Sequence, residues 1–233
     1  MTDTALPITL TLSSGAELGC DGVLVCAGRT SNTGDLNLGA AGLTPGSRAL
    51  ISVDPHSRTA VPHIYAAGDV VGPPGLAATG MEQARVAVCH AFGSDIKGDN
   101  ASLIPTGVYT IPEAAMVGET EETLRAKGVA YVVGRASYAD NPRGRIIGDE
   151  SGFLKLLFRA DDMRLVGVHV LGEIATEVVH VGLIAMLAEG TIDLLNRACF
   201  NYPTLGDLYK YATYSALLRR AGIAPQAATP HGG

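Results

Sequence analysis

A short apolar run that ends in Gly-Asp, passes through a Gly/Pro loop and leads into a helix of small residues constrains this chain more than any other feature. The run is His63-Ile64-Tyr65-Ala66-Ala67-Gly68-Asp69, and residues 70–75 form the loop. Residues 76–92 then carry Ala77, Ala78, Gly80, Met81, Ala84, Val86, Ala87, Val88 and Ala91. The pattern predicts a buried strand over 63–69 and a helix over 76–92 packed tightly against a neighbour or a ligand. In an open α/β sheet, ligands bind at the carboxyl ends of the strands. Asp69 stands there and can accept hydrogen bonds from ligand hydroxyls. The amides at the helix start, near Leu76 and Ala77, present partial positive charge. Such a pair suits a sugar-like chain joined to an electron-accepting ring. The other reading is a plain turn, in which Gly68 and Asp69 serve the backbone alone.

The segment before this unit is also β-like. Residues 8–12 alternate apolar residues with Thr, and Ser13-Ser14-Gly15 makes a turn, so 8–12 is expected as a half-exposed hairpin strand. Residues 22–28, Gly-Val-Leu-Val-Cys-Ala-Gly, predict a buried strand. A buried strand needs cover on both faces. The residues before Ile8 are too few to supply it, so the chain is expected to begin partway through a domain. Residues 29–62 read as loops, and the polar stretch 93–102 reads as a linker.

Beyond the linker the pattern becomes α+β. Thr120 is placed to cap a helix with Glu121 and Glu122 in its first turn and Gly128 at its end. Strands are expected at 130–136, 145–148, 153–158 and 165–171, the last two joined as a hairpin at Asp161-Asp162. A helix over 173–189 carries Ile174, Val178, Val181, Ala185 and Ala188 on one face and Val179, Leu183 and Met186 on a second. Thr191 is placed to cap a short helix. Thr204, with Asp207 at the third helical position, is placed to cap the last one, which ends near residue 220. Residues 221–233 read as a disordered tail. The fold class expected is α/β followed by α+β, with a layer of helices on an antiparallel sheet of four or five strands.

Composition narrows the partners. The net charge of −6 is spread over interspersed acidic and basic residues, which argues against a nucleic-acid or anionic-membrane surface. Cys20, Cys26, Cys89 and Cys199 form no CxxC pair and stand near no His cluster, so neither a metal site nor a disulfide framework is expected. Cys26 and Cys89 lie in apolar runs and read as buried small hydrophobes. A basic leader is missing, and no window approaches the ~18 apolar residues of a membrane span. The chain reads as soluble and cytoplasmic.

Four segments resemble motifs of the pyridine-nucleotide disulfide reductase family, in family order over about residues 8–220. Thr59-Ala60-Val61-Pro62-His63-Ile64-Tyr65-Ala66-Ala67-Gly68-Asp69 is similar to the family's second FAD motif. Ala27-Gly28-Arg29-Thr30-x-Asn32 resembles the motif that closes its NAD-binding domain. Pro112-Glu113 and Val117-Gly118-x-Thr120-Glu121 resemble the start of its dimerisation domain. The resemblance implies that Asp69 holds the ribityl chain of FAD, that the Leu76–Ala77 backbone approaches the flavin, and that Gly68 and Gly28 belong to cofactor-binding segments. It also implies FAD, NAD and NADP as cofactors and substrates. The implied domains are the final strands of an NAD(P) domain (1–33), part of an FAD domain (34–101) and a dimerisation domain (102–221) that forms a homodimer.

A further segment discriminates within that family, Phe200-Asn201-Tyr202-Pro203-Thr204-Leu205-Gly206-Asp207: disulfide reductases place a His before its Pro and a Glu five residues after the His. Here Asn201-Tyr202-Pro203-Thr204 puts Tyr202 and Asp207 at those places. A phenol of pKa about 10 is a poor proton shuttle at neutral pH, whereas imidazole near 6.5 suits the task. Hydride transfer between nicotinamide and flavin has no thiol to protonate. The Asn-Tyr-Pro-Thr run resembles the family's soluble transhydrogenases, which implies hydride transfer between NADPH and NAD through FAD. The alternatives are a dihydrolipoamide-dehydrogenase-like reductase with an altered base and a non-catalytic dimerisation module. No GxGxxG follows a strand in this sequence, so the chain alone is expected to bind FAD weakly and to lack turnover. His63, His169 and His180 read as satisfied structural residues, His231 as part of the tail, and residues 119–122 as a solvated helix start.

Overall fold

The computed structural model describes residues 8–98 and 100–223. Most of the tail expected at 221–233 lies outside the described residues. The chain divides into two compact units, Met1–Asp99 and Asn100–Gly233.

The first unit opens with an antiparallel ribbon. Strand β1 (Ile8–Thr11) pairs with β2 (Glu17–Cys20), Ile8 opposite Cys20. The buried strand expected at 22–28 does not form. The segment joins no ladder among the described residues, and Leu24 and Val25 are 88% and 80% exposed. A two-stranded ribbon offers no layer that could cover it. Cys26 is therefore exposed instead of buried.

The strand expected at 63–69 is also absent. Among the described residues its only ladder contact is an isolated bridge between Arg58 and Tyr65. Local polar side chains hold the backbone in tight turns instead: the Thr59 hydroxyl bonds to Val61 and Ile64, and Asp54 accepts the His56 and Arg58 amides. Helix α1 (Ala77–Ala91) forms where expected, between Leu76 and Phe92. Only Val86 and Ala87 of it are buried, while Met81 and Val88 stay exposed, so tight burial along its whole length is not found.

The second unit is an antiparallel sheet covered by helices. Its strands are β3 (Thr106–Val108), β4 (Glu113–Gly118), β5 (Tyr131–Ser137), β6 (Phe153–Arg159) and β7 (Leu165–Gly172), in the order β3-β4-β7-β6-β5. Helix α2 (Glu121–Ala126) follows β4, α3 (Pro142–Ile147) follows β5, and α4 (Ala175–Leu187), α5 (Ile192–Arg197) and α6 (Leu208–Arg220) complete the unit. Helix α4 packs on β4 and β7, and α6 packs on β5 and β6. Their buried faces meet Val117, Leu154, Leu156, Phe158, Val168 and Val170 of the sheet in one core. Removing such aliphatic and aromatic surface from water contributes ~25 cal/mol per Å².

The strand expected at 145–148 is helix α3. Asn141 accepts the Arg143 and Gly144 amides, Pro142 occupies the first turn, and Gly148 closes the helix in the left-handed region. Those three signals outweigh the short apolar pair Ile146-Ile147. Strands β3 and β4 are not among the strands expected from the sequence, because Gly, Pro and Ala interrupt the alternation there.

The caps differ in detail. Thr120 caps α2 in a reciprocal bond with Thr123. Thr191 precedes α5 without a side-chain bond. Thr204 does not cap the last helix, because its hydroxyl donates to the Asn201 carbonyl and a tight turn, Leu205–Asp207, precedes α6. On α4, Val178, Val179, Gly182 and Ala185 are buried while Ile174 and Val181 are not, so the buried face is rotated from the one expected.

Candidate functional site

Asp69 opens a single helical turn, Asp69–Val71, directly after Gly68 at φ 84°. The loop then leads into α1, whose first turn lies against Gly68. A Cβ on Gly80 would stand 3.1 Å from the Gly68 Cα, so the small residues expected at this crossing are required by the close approach. Gln83, one turn further along α1, accepts the Gly68 amide at 2.7 Å.

Arg29 meets the same place. Its Nη1 donates to Asp69 Oδ2 at 2.8 Å and its Nη2 to the Gly75 carbonyl at 3.1 Å. The pair is open to solvent, with side chains 71% and 57% exposed, so its worth to stability is within ~1 kcal/mol. What it does is fix the direction of the Asp69 carboxylate and leave Oδ1 facing Gly75. A cleft of about 450 Å³ opens here, lined by Arg29, Ser31, Asn32, Arg48, Asp69 and Gly75 among others.

The helix start is partly committed. The Leu76 amide donates to the Pro74 carbonyl at 2.8 Å and does not face outward as expected. Leu76 makes no side-chain cap, which leaves the first-turn amides of Ala77, Ala78 and Thr79 without intrahelical acceptors. Thr79 Oγ1 is buried without a partner. A free carboxylate oxygen at the loop and uncapped amides at the helix start that follows it fit a ligand bearing both hydroxyl donors and carbonyl acceptors. Gly28, at φ 112° with open space about it, adjoins the Arg29 backbone.

In the second unit, Tyr202 is 72% exposed and follows Asn201 at the surface. Neither a Tyr202–Asp207 hydrogen bond nor any bond from the Asp207 carboxylate is formed among the described residues. The segment is held by Asn141, itself 1% exposed, whose Nδ2 donates to the Thr204 carbonyl at 3.1 Å. Sequence reading missed Asn141, Gln83 and Arg29 as site-shaping residues. Asn141 had a signal, the Asn-Pro start of a helix.

The titratable residues depart from expectation in two places. Both His169 nitrogens are buried without a partner, so it is not a satisfied histidine, and burial, reinforced by the Lys155 charge, pulls its pKa down to about 4. Glu121 is not solvated: Lys155 Nζ donates to it at 3.0 Å and holds its carboxyl below the usual range. Among the described residues, no group of three or more His, Cys, Asp and Glu is arranged to hold a metal ion. No described helix is long and apolar enough to cross a membrane.

Comparisons with known proteins place the chain in a family. Residues 2–91 match the model for pyridine nucleotide-disulphide oxidoreductases, and residues 104–213 match the dimerisation domain of the same family. The chain is 45% identical over 207 residues to the soluble pyridine nucleotide transhydrogenase of Mycobacterium bovis (strain BCG / Pasteur 1173P2), covering 89% of this chain and 44% of that protein. It is 42% identical over 219 residues to the protein of that name from Marinobacter nauticus, covering 91% and 46%. Among solved structures, LpdA from Mycobacterium tuberculosis superposes with a TM-score of 0.78 at 28% identity, over 91% of this chain and 46% of that one. The HOCl-induced flavoprotein disulfide reductase RclA from Escherichia coli gives 0.75 at 26% identity, over 83% and 46%. The chain thus spans less than half the length of the relatives it matches. With both family models matched in succession across most of its residues, the chain belongs to the pyridine nucleotide-disulphide oxidoreductases.

Proposed function

We propose that this chain belongs to a cytoplasmic flavoprotein that passes hydride between NADPH and NAD, and that it contributes the carboxyl-terminal part of the FAD site and the dimer interface. The observation that carries this reading is the 45% identity over 207 residues to a soluble pyridine nucleotide transhydrogenase. Tyr202 in place of a proton-carrying His supports it from the chemical side. The domain reading is 1–33, 34–101 and 102–221, with a homodimer built on the last.

Bound flavin supplies the group that accepts and returns hydride. The residues of this chain bind and orient it. Asp69 Oδ1 would accept hydrogen bonds from hydroxyls of the polyol chain, with Arg29 keeping the carboxylate turned to receive them. The Ala77 and Ala78 amides at the start of α1, which have no side-chain cap, would supply partial positive charge to the ring. Gly68 and Gly80 let that helix start come close. Tyr202 packs beside the site of the second protomer and moves no proton. Ile184, Leu187, Tyr211 and Tyr214, all exposed in the single chain, give the two-fold interface its apolar surface.

Likeness to RclA favours one second reading, a disulfide reductase with an altered base. A chimera that joins this chain to the unmatched amino-terminal part of the Mycobacterium bovis relative separates the two. NADPH-dependent reduction of an NAD analogue, without reduction of lipoamide, is expected. Lipoamide reduction without hydride transfer to NAD overturns the proposal.

A further inference from the structure

We infer that helix α2 is an acid-released latch: a proton taken up by His169 frees it from the face of the sheet that α4 and α6 leave open. Strand alternation sets the device up. Val168 and Val170 of β7, and Leu154 and Leu156 of β6, lie in the core with α4 and α6. His169 and Lys155 therefore point to the opposite face. The register lays Met116, His169, Lys155 and Arg135 abreast on β4, β7, β6 and β5. Three adjacent strands thus carry three basic side chains in one row. Like charges directly opposite each other destabilise a sheet.

Helix α2 supplies the charge that offsets the row. Glu121 Oε1 accepts Lys155 Nζ at 3.0 Å and stands 3.8 Å from Arg135 Nη2. The Glu121 and Lys155 side chains are only 18% and 17% exposed, so this pair is shielded from solvent. Tyr131 of β5 and Arg125 of α2 itself donate to Glu121 Oε2 at 3.2 and 3.3 Å. Together with the buried Leu124, these bonds hold α2 down. His169 takes no part in them, and both its nitrogens are buried without a partner among the described residues. The charged groups facing its ring are Lys155 from β6 and Glu121 and Glu122 from α2, while Met116, its neighbour on β4, is uncharged. An imidazolium sealed there leaves N–H donors unpaired beside an ammonium, a cost relieved when α2 lifts and water reaches the ring. Burial and the Lys155 charge hold the pKa of His169 down at about 4 while α2 is docked, against about 6.5 in water. Docking is therefore fully present above a pH of about 6.5 and is lost as pH falls toward 4.

Hydrogen exchange on the full chain, expressed as protection relative to the free peptide rate at each pH, tests the latch. The amides of Leu124 and Lys127, bonded to the Thr120 and Thr123 carbonyls within α2, are expected to lose protection about tenfold or more between pH 7.5 and 5. Low urea should leave their exchange unchanged, because the opening is local, while it speeds exchange at Leu156 and Val168 in the sheet. His169→Gln carries no titrating proton and should keep the same α2 protection at both pH values. Should that variant fail to fold, Lys155→Gln serves instead, since it removes the neighbouring cation and should shrink the loss. A parent chain that keeps its α2 protection at pH 5, a loss that persists in full in either variant, or α2 exchange that urea accelerates as much as it does the sheet, overturns the inference.

Discussion

Tyr209 on α6 threads its hydroxyl into the backbone of α4 at Gly182, accepting the Gly182 amide at 3.0 Å. The same hydroxyl donates to the Val178 carbonyl at 2.9 Å. Val178 and Gly182 stand four residues apart, the spacing of a helical hydrogen bond, so the phenol bridges one rung of the α4 ladder. The close approach also explains the glycine. A Cβ there would stand 2.5 Å from Val168 Cγ2 and 2.9 Å from the Tyr209 hydroxyl.

Tyr209→Phe is expected to cost about 1–3 kcal/mol, because it strips a buried carbonyl and a buried amide of their partner while keeping the ring. Gly182→Ala is expected to cost about as much through overpacking between α4 and the sheet. Urea unfolding followed by far-ultraviolet circular dichroism measures both. Values near zero for Tyr209→Phe would mean that the ladder closes on itself once the hydroxyl is gone.

Alkaline stability should depend on the same residue. Burial pushes the phenols of Tyr138 and Tyr209 well above their ordinary range, and the nearby Asp149, Glu113 and Glu173 charges add to this for Tyr138. Above a pH of about 10 the unfolded chain releases these protons and the folded chain keeps them. Stability is therefore full below that pH and falls as pH rises past it. Urea midpoints between pH 9 and 11 should fall less steeply for Tyr209→Phe than for the parent, and identical slopes would contradict the assignment.

His169 governs the acid side. Its pKa near 4 in the folded chain lies below the ordinary value of 6.5, with burial as the main cause. The unfolded chain therefore binds a proton that the folded chain refuses, and stability rises with pH across that interval. It is fully present above about 6.5 and is lost progressively as pH falls toward 4. Replacing His169 with Leu should flatten the dependence of the urea midpoint between pH 6.5 and 4. A slope equal to the parent's would show that carboxylates alone govern the acid limb.

What the sequence made legible follows from how local the signals are. Helix α1 was readable from its small residues, α2 from Thr120 and Gly128, and the β6–β7 hairpin from alternation about Asp161-Asp162. The turn at Gly68-Asp69 was readable because Gly-Asp after an apolar run is a local motif. The failures lie where a non-local partner decides. Residues 22–28 look like a buried strand, but a strand exists only with neighbours, and Leu24 and Val25 have none among the described residues. The Arg29–Asp69 pair joins residues 40 positions apart, and no periodicity announces it. Tyr202 was readable as a departure from a motif, whereas the residue that holds its segment in place lies some 60 positions upstream.

That residue is Asn141. Its Oδ1 accepts the Arg143 and Gly144 amides at 2.9 and 3.2 Å, and its Nδ2 donates to the Thr204 carbonyl at 3.1 Å. One buried amide side chain thus caps α3 and anchors the segment that follows Tyr202. Asn141→Ala removes both functions and should cost about 1–3 kcal/mol. Asn141→Asp separates them. A carboxylate still caps the helix, and it favours that end of the helix dipole, but it has no proton for the Thr204 carbonyl and sets two acceptors against each other. If anchoring matters more than capping, Asn141→Asp will be at least as destabilising as Asn141→Ala at neutral pH and will recover as the carboxyl protonates in acid. Hydrogen exchange then reads the two parts apart, with faster exchange at residues 202–206 in both variants and faster exchange at 143–144 in Asn141→Ala alone. Faster exchange at 143–144 in both would show that the cap and the anchor are a single cooperative contact.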